Sequence, residues 1–97
     1  MTFERLFPEV RDLVLDLWEH PELGYHEHRT ARLVEQFLQR HGDGAAIERF
    51  STTGVKVSLP SAAPEDPRRR RIAVVAELDA VISPAHPDAD PATGAVH

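Results

Sequence analysis

Three histidines and three glutamates lie within the stretch WEHPELGYHEH, residues 18–28, and are candidates for a metal site. Neutral imidazole is a common zinc ligand, so His20, His26 and His28 were considered first. His26 and His28 are two residues apart, so on a helix their side chains point in different directions. His20 adjoins the end of a predicted helix, where an imidazole contacts the terminal carbonyl groups favourably. The spacing therefore favours a structural role for these histidines.

Two acidic residues, Glu77 and Asp79, are the candidate catalytic residues. They end the segment IAVVAEL, residues 72–78, which is apolar on both faces, as a central strand covered on both sides is. Open α/β sheets bind their ligands at the carboxyl ends of their strands. Residues two apart lie on one face if the strand continues. The alternative is that two charges simply leave a strand.

Two further charged features are assigned no chemistry. His86 and Asp88 form a His-x-Asp pattern, but it stands among prolines with no strand before it, which favours chance. The four arginines at 68–71 suggest a phosphate or nucleic-acid patch. In an acidic chain, and directly before an apolar strand, they are better explained as the solvated edge of a loop.

The first helix is predicted from apolar residues at the i, i+4 and i+7 spacing of an amphipathic helix: Leu6, Val10, Leu13, Val14 and Leu17. Pro8 either opens this helix or kinks it early. Pro21 ends it, because the residue before a proline avoids helical geometry. Gly24 is expected to take the left-handed conformation in the turn that follows.

The second helix is predicted from Tyr25 to His41, with Gly42 as its stop signal. Its buried stripe is Ala31, Val34, Phe37 and Leu38. Residues 1–42 therefore form a pair of neighbouring helices joined by a short turn.

The second half of the chain has the period of strands. Residues 47–50 alternate, and GVKVSLP at 54–60 alternates with Val55, Val57 and Leu59 on one face. With the buried strand at 72–78, residues 45–82 hold about three strands, whereas residues 83–97 are predicted to be loop. The fold class is α/β. Because the buried strand needs more cover than these elements supply, we expect residues 1–97 to be the N-terminal portion of one larger catalytic domain.

Composition narrows the classes of function. The chain has 97 residues and a formal net charge of −5, which argues against general nucleic-acid binding. It has no cysteine, so no disulfide or thiolate ligand is present. The start MTFERLF has no apolar signal-peptide core, and no apolar run is long enough for a membrane span. We expect a cytoplasmic protein.

Three segments resemble motifs of the metal-dependent N-acyl-amino-acid amidohydrolases and their zinc peptidase relatives. HPELGYHEHRTARLVEQFL, residues 20–38, resembles the signature between and on their first two helices, with Glu27 and Thr30 at the acidic and threonine positions. AVVAELDAV, residues 73–81, resembles the strand that ends in acid-x-Asp-Ala. TGAVH, residues 93–97, is similar to the lead-in to GHACGH. The family includes hippurate, aminobenzoyl-glutamate and indole-acetyl-amino-acid hydrolases.

The resemblance implies an α/β metallopeptidase-type catalytic domain interrupted by a smaller lid domain, through which two copies often dimerise. It implies two divalent metal ions, zinc or manganese, and a glutamate that acts as general base on the bridging water. Asp79 matches the strand-end aspartate that supports metal ligands. Glu77 stands where one branch of the family has a metal-binding histidine. Metal ligands within this chain are not implied, and the base has no counterpart in it.

Two departures from the family pattern concern the residues after Asp79. Val81 and Ile82 replace the usual Leu-Pro, and the loop SPAHPDADPAT, residues 83–93, precedes the expected ligand motif.

Three hypotheses follow from the sequence. In the first, the chain is the N-terminal segment of an enzyme that hydrolyses the amide bond of N-acyl amino acids or small peptides, and is inactive as 97 residues. In the second, it is a non-enzymatic remnant or partner-binding fragment of such an enzyme. In the third, it is a stand-alone α/β ligand-binding module.

Overall fold

The computed structural model describes residues 2–97, which form a small α/β chain with two helices and two small antiparallel sheets. In chain order the elements are α1 (Phe3–Glu19), α2 (His28–His41), β1 (Ala46–Phe50), β2 (Gly54–Ser58), β3 (Val81–Ile82) and β4 (Ala95–Val96). Strand β1 pairs with β2, and β3 pairs with β4. The predicted helix pair is present.

Helix α1 follows the predicted apolar period and ends at Glu19, two residues before Pro21. It begins at Phe3, so Pro8 lies inside the helix rather than at its start. None of its residues is buried, and Phe3, Val14 and Trp18 are 66%, 57% and 45% exposed. This helix therefore keeps much of its apolar side in water.

Helix α2 begins at His28, three residues later than the pattern predicts, because the turn before it is longer. The expectation of a left-handed Gly24 is wrong: Tyr25 has the positive φ, 64°. A side chain stabilises this conformation, since the Tyr25 N–H donates to Glu27 Oε1 at 3.0 Å. Thr30 and Ala31 are the buried residues of α2.

The two alternating segments are confirmed as strands β1 and β2, and they pair as an antiparallel hairpin, with Ala46 opposite Ser58 and Phe50 opposite Gly54. A three-residue loop joins the strands, and its Ser51 and Thr52 have positive φ angles of 47° and 70°. Only glycine fits at position 54, because a Cβ there would lie 2.8 Å from the Phe50 carbonyl oxygen. The loop is thus a strained turn that requires support from outside the hairpin.

The predicted buried strand at 72–78 is the largest correction. Residues 72–78 form neither helix nor strand, and Ile72, Val74 and Val75 are 88%, 91% and 89% exposed. A strand exists only when a neighbouring strand takes its backbone hydrogen bonds. The described part of the chain supplies none: in residues 2–97 no backbone hydrogen bond reaches residues 70–79. The apolar composition of residues 72–78 indicates that burial would stabilise them, but it does not identify the strands or helices that would cover them.

The prediction that residues 83–97 are loop is wrong at their end, because Ala95 and Val96 form β4 opposite β3. Both strands have two residues, too few for an alternating pattern to be visible in the sequence. Turn chemistry brings them together: Asp90 Oδ1 accepts hydrogen bonds from the N–H groups of Ala92 and Thr93 at 2.7 and 3.2 Å. Gly94 then takes a φ of 76°.

The buried apolar residues are few: Ala31 lies on α2, Ala80 directly precedes β3, and Ala95 and Val96 form β4. All four lie within the three segments of the family resemblance, although residues 73–77 of the second segment are exposed.

Candidate functional site

The turn after α1 lies beside the end of the ELDA segment. Leu23 and Ala80 form a parallel β-bridge, and the Ala80 N–H donates to the Glu22 carbonyl oxygen at 2.7 Å. The pairing of β3 with β4 adds the GAVH segment, because Val81 lies opposite Val96. Extended by one step, the same register would place His97 opposite Ala80. We call this meeting of residues 22–24, 79–80 and 95–97 the junction.

Of the two predicted catalytic residues, only Asp79 lies close to the rest of the junction. Its Oδ2 is 3.8 Å from the position that a Cβ on Gly24 would take, and Glu27 Oε1 is at the same distance. Glu77 is exposed, and no hydrogen bond or ion pair joins it to any residue in the range 2–97. Both acids are exposed, and neither makes a hydrogen bond or ion pair within residues 2–97; they differ in that Asp79 lies beside the HPELG turn.

Glu22 fastens the HPELG turn to the start of α2. Its Oε1 accepts a hydrogen bond from the Thr30 N–H at 2.6 Å, and its Oε2 accepts one from the Arg29 N–H at 3.2 Å. These are N–H groups of the first turn, which have no partner inside the helix, and a carboxylate there also complements the helix dipole. Glu22 therefore caps α2 from outside the helix, a role that the sequence reasoning missed.

The pKa of Glu22 lies below its ordinary value of 4.5. Burial alone would raise this pKa, but the hydrogen bonds from Thr30 and Arg29 and the charge of Arg29 outweigh burial. A carboxyl group with a lowered pKa in the folded state stabilises the fold above its unfolded pKa. That stabilisation is lost as the pH falls through the folded pKa.

We predict that the free energy of unfolding falls as the pH drops below about 4.5, partly through Glu22. In Glu22→Gln the pH-dependent loss should be smaller, by up to about 1 kcal/mol, because this partly exposed group no longer titrates. Urea titrations monitored by circular dichroism at pH 7 and pH 3.5 would measure the difference. Glu19→Gln, at an exposed position, is the control. Equal losses in Glu22→Gln and the unsubstituted chain would contradict the assignment.

Glu27 joins the same turn to the hairpin. It is 8% exposed, and its two oxygens are divided between two partners. Oε1 accepts the Tyr25 N–H at 3.0 Å, whereas Oε2 accepts the hydroxyl of Thr53, itself 6% exposed. Since Thr53 closes the strained loop of the hairpin, Glu27 supplies the outside support that this loop requires. From the sequence, only the family resemblance assigned Glu27 a position, and no contact of its side chain was predicted.

Side-chain contacts join the two helices. Arg29 Nη2 lies 2.7 Å from Asp16 Oδ1, and His41 Nε2 lies 2.6 Å from Glu9 Oε2. The hydrogen bond from Arg29, with the added charges of Arg29 and His20, holds the pKa of Asp16 below its usual range. The contacts thus join α1 to both ends of α2.

His20 is placed as the sequence suggested. His20 Nδ1 lies 2.9 Å from the Asp16 carbonyl oxygen at the end of α1, which confirms its contact with a terminal carbonyl group. His26 and His28 are exposed. Among residues 2–97, no three His, Cys, Asp or Glu side chains come together as a metal site would require. The described residues thus do not fit a metal ion by themselves.

The two features set aside in the sequence remain outside the junction. Arg68–Arg71 are exposed, and Arg68 pairs with Asp66 in the same loop at 3.2 Å. Hydrogen bonds from the backbone and side chain of Arg68 hold the pKa of Asp66 below its usual range. His86 Nδ1 accepts a hydrogen bond from the Asp88 N–H at 3.1 Å, a contact that shapes a turn.

Neither described helix is long and apolar enough to cross a membrane. Comparison of the chain with protein-family models, with curated proteins and with solved structures finds no match.

Proposed function

We propose that this chain is the N-terminal segment of a cytoplasmic, metal-dependent amidohydrolase or peptidase that hydrolyses the amide bond of N-acyl amino acids or small peptides. One observation carries the proposal: the three segments that resemble the family motifs, residues 20–38, 73–81 and 93–97, meet at the junction. The Leu23–Ala80 bridge and the β3–β4 pair hold them together.

In this proposal the residues of the chain build one wall of the site. Glu22 and Glu27 fix the HPELG turn against α2 and the hairpin, and the turn in turn fixes Ala80 through its backbone. Asp79 directly precedes Ala80, which is held by the Leu23–Ala80 bridge. From there its carboxylate would accept a hydrogen bond from a metal-binding imidazole, which orients the ring and raises its basicity.

The metal ligands and the general base would come from polypeptide outside these 97 residues. Residues 2–97 contain no set of three ligands, so no catalytic step is assigned to a metal held by this chain. In the whole enzyme two divalent ions, zinc or manganese, would activate water and polarise the amide carbonyl. In this proposal the 97-residue chain helps to position the metal ligands, but it contains neither those ligands nor the general base.

The test compares two proteins in one assay. We expect the purified 97-residue chain to release no amino acid from a panel of N-acyl amino acids, with or without zinc or manganese. We expect a longer polypeptide that contains this sequence to hydrolyse at least one of them, to lose activity with a chelator and to regain it with metal. Metal-dependent hydrolysis by the 97-residue chain would contradict the proposal that the metal ligands and the general base come from outside it. An inactive longer polypeptide would overturn the proposed function.

The second candidate is a partner-binding fragment without activity of its own. The observation that favours it is the exposure of Ile72, Val74 and Val75, which are apolar and lie on the surface of the 97-residue chain. Contiguous exposed apolar residues commonly mark an interaction site. The same assay distinguishes the candidates, because a fragment of this kind predicts activity in neither protein.

A further inference from the structure

The segment from Arg69 to Asp79 has the features of a strand that lacks a partner. Its residues are exposed except for Leu78, which is half-buried, and the backbone of residues 70–79 makes no hydrogen bond with the described part of the chain. Unpaired backbone groups beside apolar side chains form a template for strand addition. The order of charges along the segment indicates which strand would fit.

The segment is complementary to itself when it runs antiparallel. Its charges are basic at one end, Arg69 and Arg71, and acidic at the other, Glu77 and Asp79. In an antiparallel pair with its own copy, the basic end of each strand lies beside the acidic end of the other. A parallel pair would place like charges opposite each other, which is destabilising.

Symmetry selects one register. In a regular antiparallel pair related by a twofold axis, opposite residues point to the same face, so the axis must pass beside a single residue. With the axis at Val74, Arg71 lies opposite Glu77 and Arg69 lies opposite Asp79. With the axis at residue 73 or 75, only one arginine meets an acid. The register centred on Val74 therefore makes the most ion pairs.

The alternation of a strand divides the residues of the segment between the two faces of the pair. One face carries Arg69, Arg71, Glu77 and Asp79 with Ala73 and Val75 between them, whereas the other carries the apolar residues Ile72, Val74, Ala76 and Leu78, with Arg70 at its end. An isolated two-stranded ribbon is only marginally stable in water, so the apolar face and the ion pairs must both contribute. The expected affinity is accordingly modest, in the micromolar range.

We propose that the 97-residue chain forms a symmetric dimer with a second copy of itself, by antiparallel pairing of residues 69–79 about Val74. The partner is identified by the charge complementarity of the segment with itself. The proposal concerns the surface of the 97-residue chain and does not depend on the proposed function.

The first test is the mass of the purified chain in solution, measured by light scattering across micromolar concentrations. We expect a concentration-dependent rise toward twice the mass of 10.8 kDa. Arg71→Glu should weaken the dimer about tenfold, because it places two pairs of like charges face to face. The matched control is Arg70→Glu, which changes net charge equally but has no acid opposite it. The double variant Arg71→Glu/Glu77→Arg should restore the original affinity.

The second test uses the absence of cysteine from the chain. In Val74→Cys the two thiols meet across the axis and should form a disulfide with oxidised glutathione. In Ile72→Cys they lie several residues apart, so cross-linking should be weak. A chain that stays monomeric at all concentrations would overturn the proposal. So would equal weakening by Arg71→Glu and Arg70→Glu, failure of the double variant to restore affinity, or equal cross-linking of the two cysteine variants.

Discussion

Replacing Glu27 with alanine is expected to lower the free energy of unfolding by about 3 kcal/mol, the largest effect on stability that the structure predicts. The substitution removes the acceptor of the Thr53 hydroxyl, which is 6% exposed and has little access to water. It also removes the acceptor of the Tyr25 N–H, in a residue whose φ is 64°. The turn and the hairpin loop would then both lose the contact that holds a strained backbone.

Urea unfolding followed by circular dichroism at 222 nm measures this change. Glu19→Ala is the matched control, because Glu19 is an exposed glutamate near the end of α1 and its loss should change stability by less than about 0.5 kcal/mol. A double-mutant cycle with Thr53→Val isolates the contact itself. Additive effects of Glu27→Ala and Thr53→Val would show that the pair is not coupled and would contradict the role assigned to Glu27.

Replacing Asp79 with asparagine is expected to lower kcat/KM of the longer polypeptide by about 10- to 100-fold and to weaken its metal binding to a similar degree. Asparagine keeps the size of the side chain but removes the charge that would make an imidazole ligand more basic. Both readouts are needed, because a merely structural residue would reduce stability without changing the affinity of the folded enzyme for metal.

The matched control for Asp79 is Glu77→Gln, which removes one negative charge two residues away. Glu77 is exposed and has no polar partner among residues 2–97, so this variant should keep activity within about threefold. If Glu77→Gln lost activity and Asp79→Asn did not, Glu77 would be the functional acid. The assignment of the supporting role to Asp79 would then be wrong.

The helices and the strands β1 and β2 were predictable because their patterns are local. Helix α2 ends at His41, directly before the glycine that serves as its stop signal, and GVKVS alternates as a half-buried strand does. The start of α2 was missed because the turn before it depends on Glu27, whose side chain contacts a residue 26 positions away. Local periodicity contains no information about such a contact.

The junction was predictable only in part. Asp79 was selected because it follows an apolar segment and matches a family motif, and the structure places it beside the HPELG turn. The helix cap provided by Glu22 had one indication in the sequence, an acidic residue shortly before a helix. The sequence does not show that the turn folds back and brings Glu22 to the N–H groups of α2. The prediction of a buried strand at 72–78 was wrong for a different reason. Whether a segment is buried depends on the rest of the fold, and no described element covers these residues.

The most direct test of the proposed function is the intact mass of the protein that carries this sequence, in the cells that make it. We predict a species several times heavier than 10.8 kDa, in which His97 is followed by Ala-Cys-Gly-His. Such a species would contain the ligands that the junction is proposed to support. A single species of 10.8 kDa would contradict the account, because the cell would then make a chain that cannot hold the metal site.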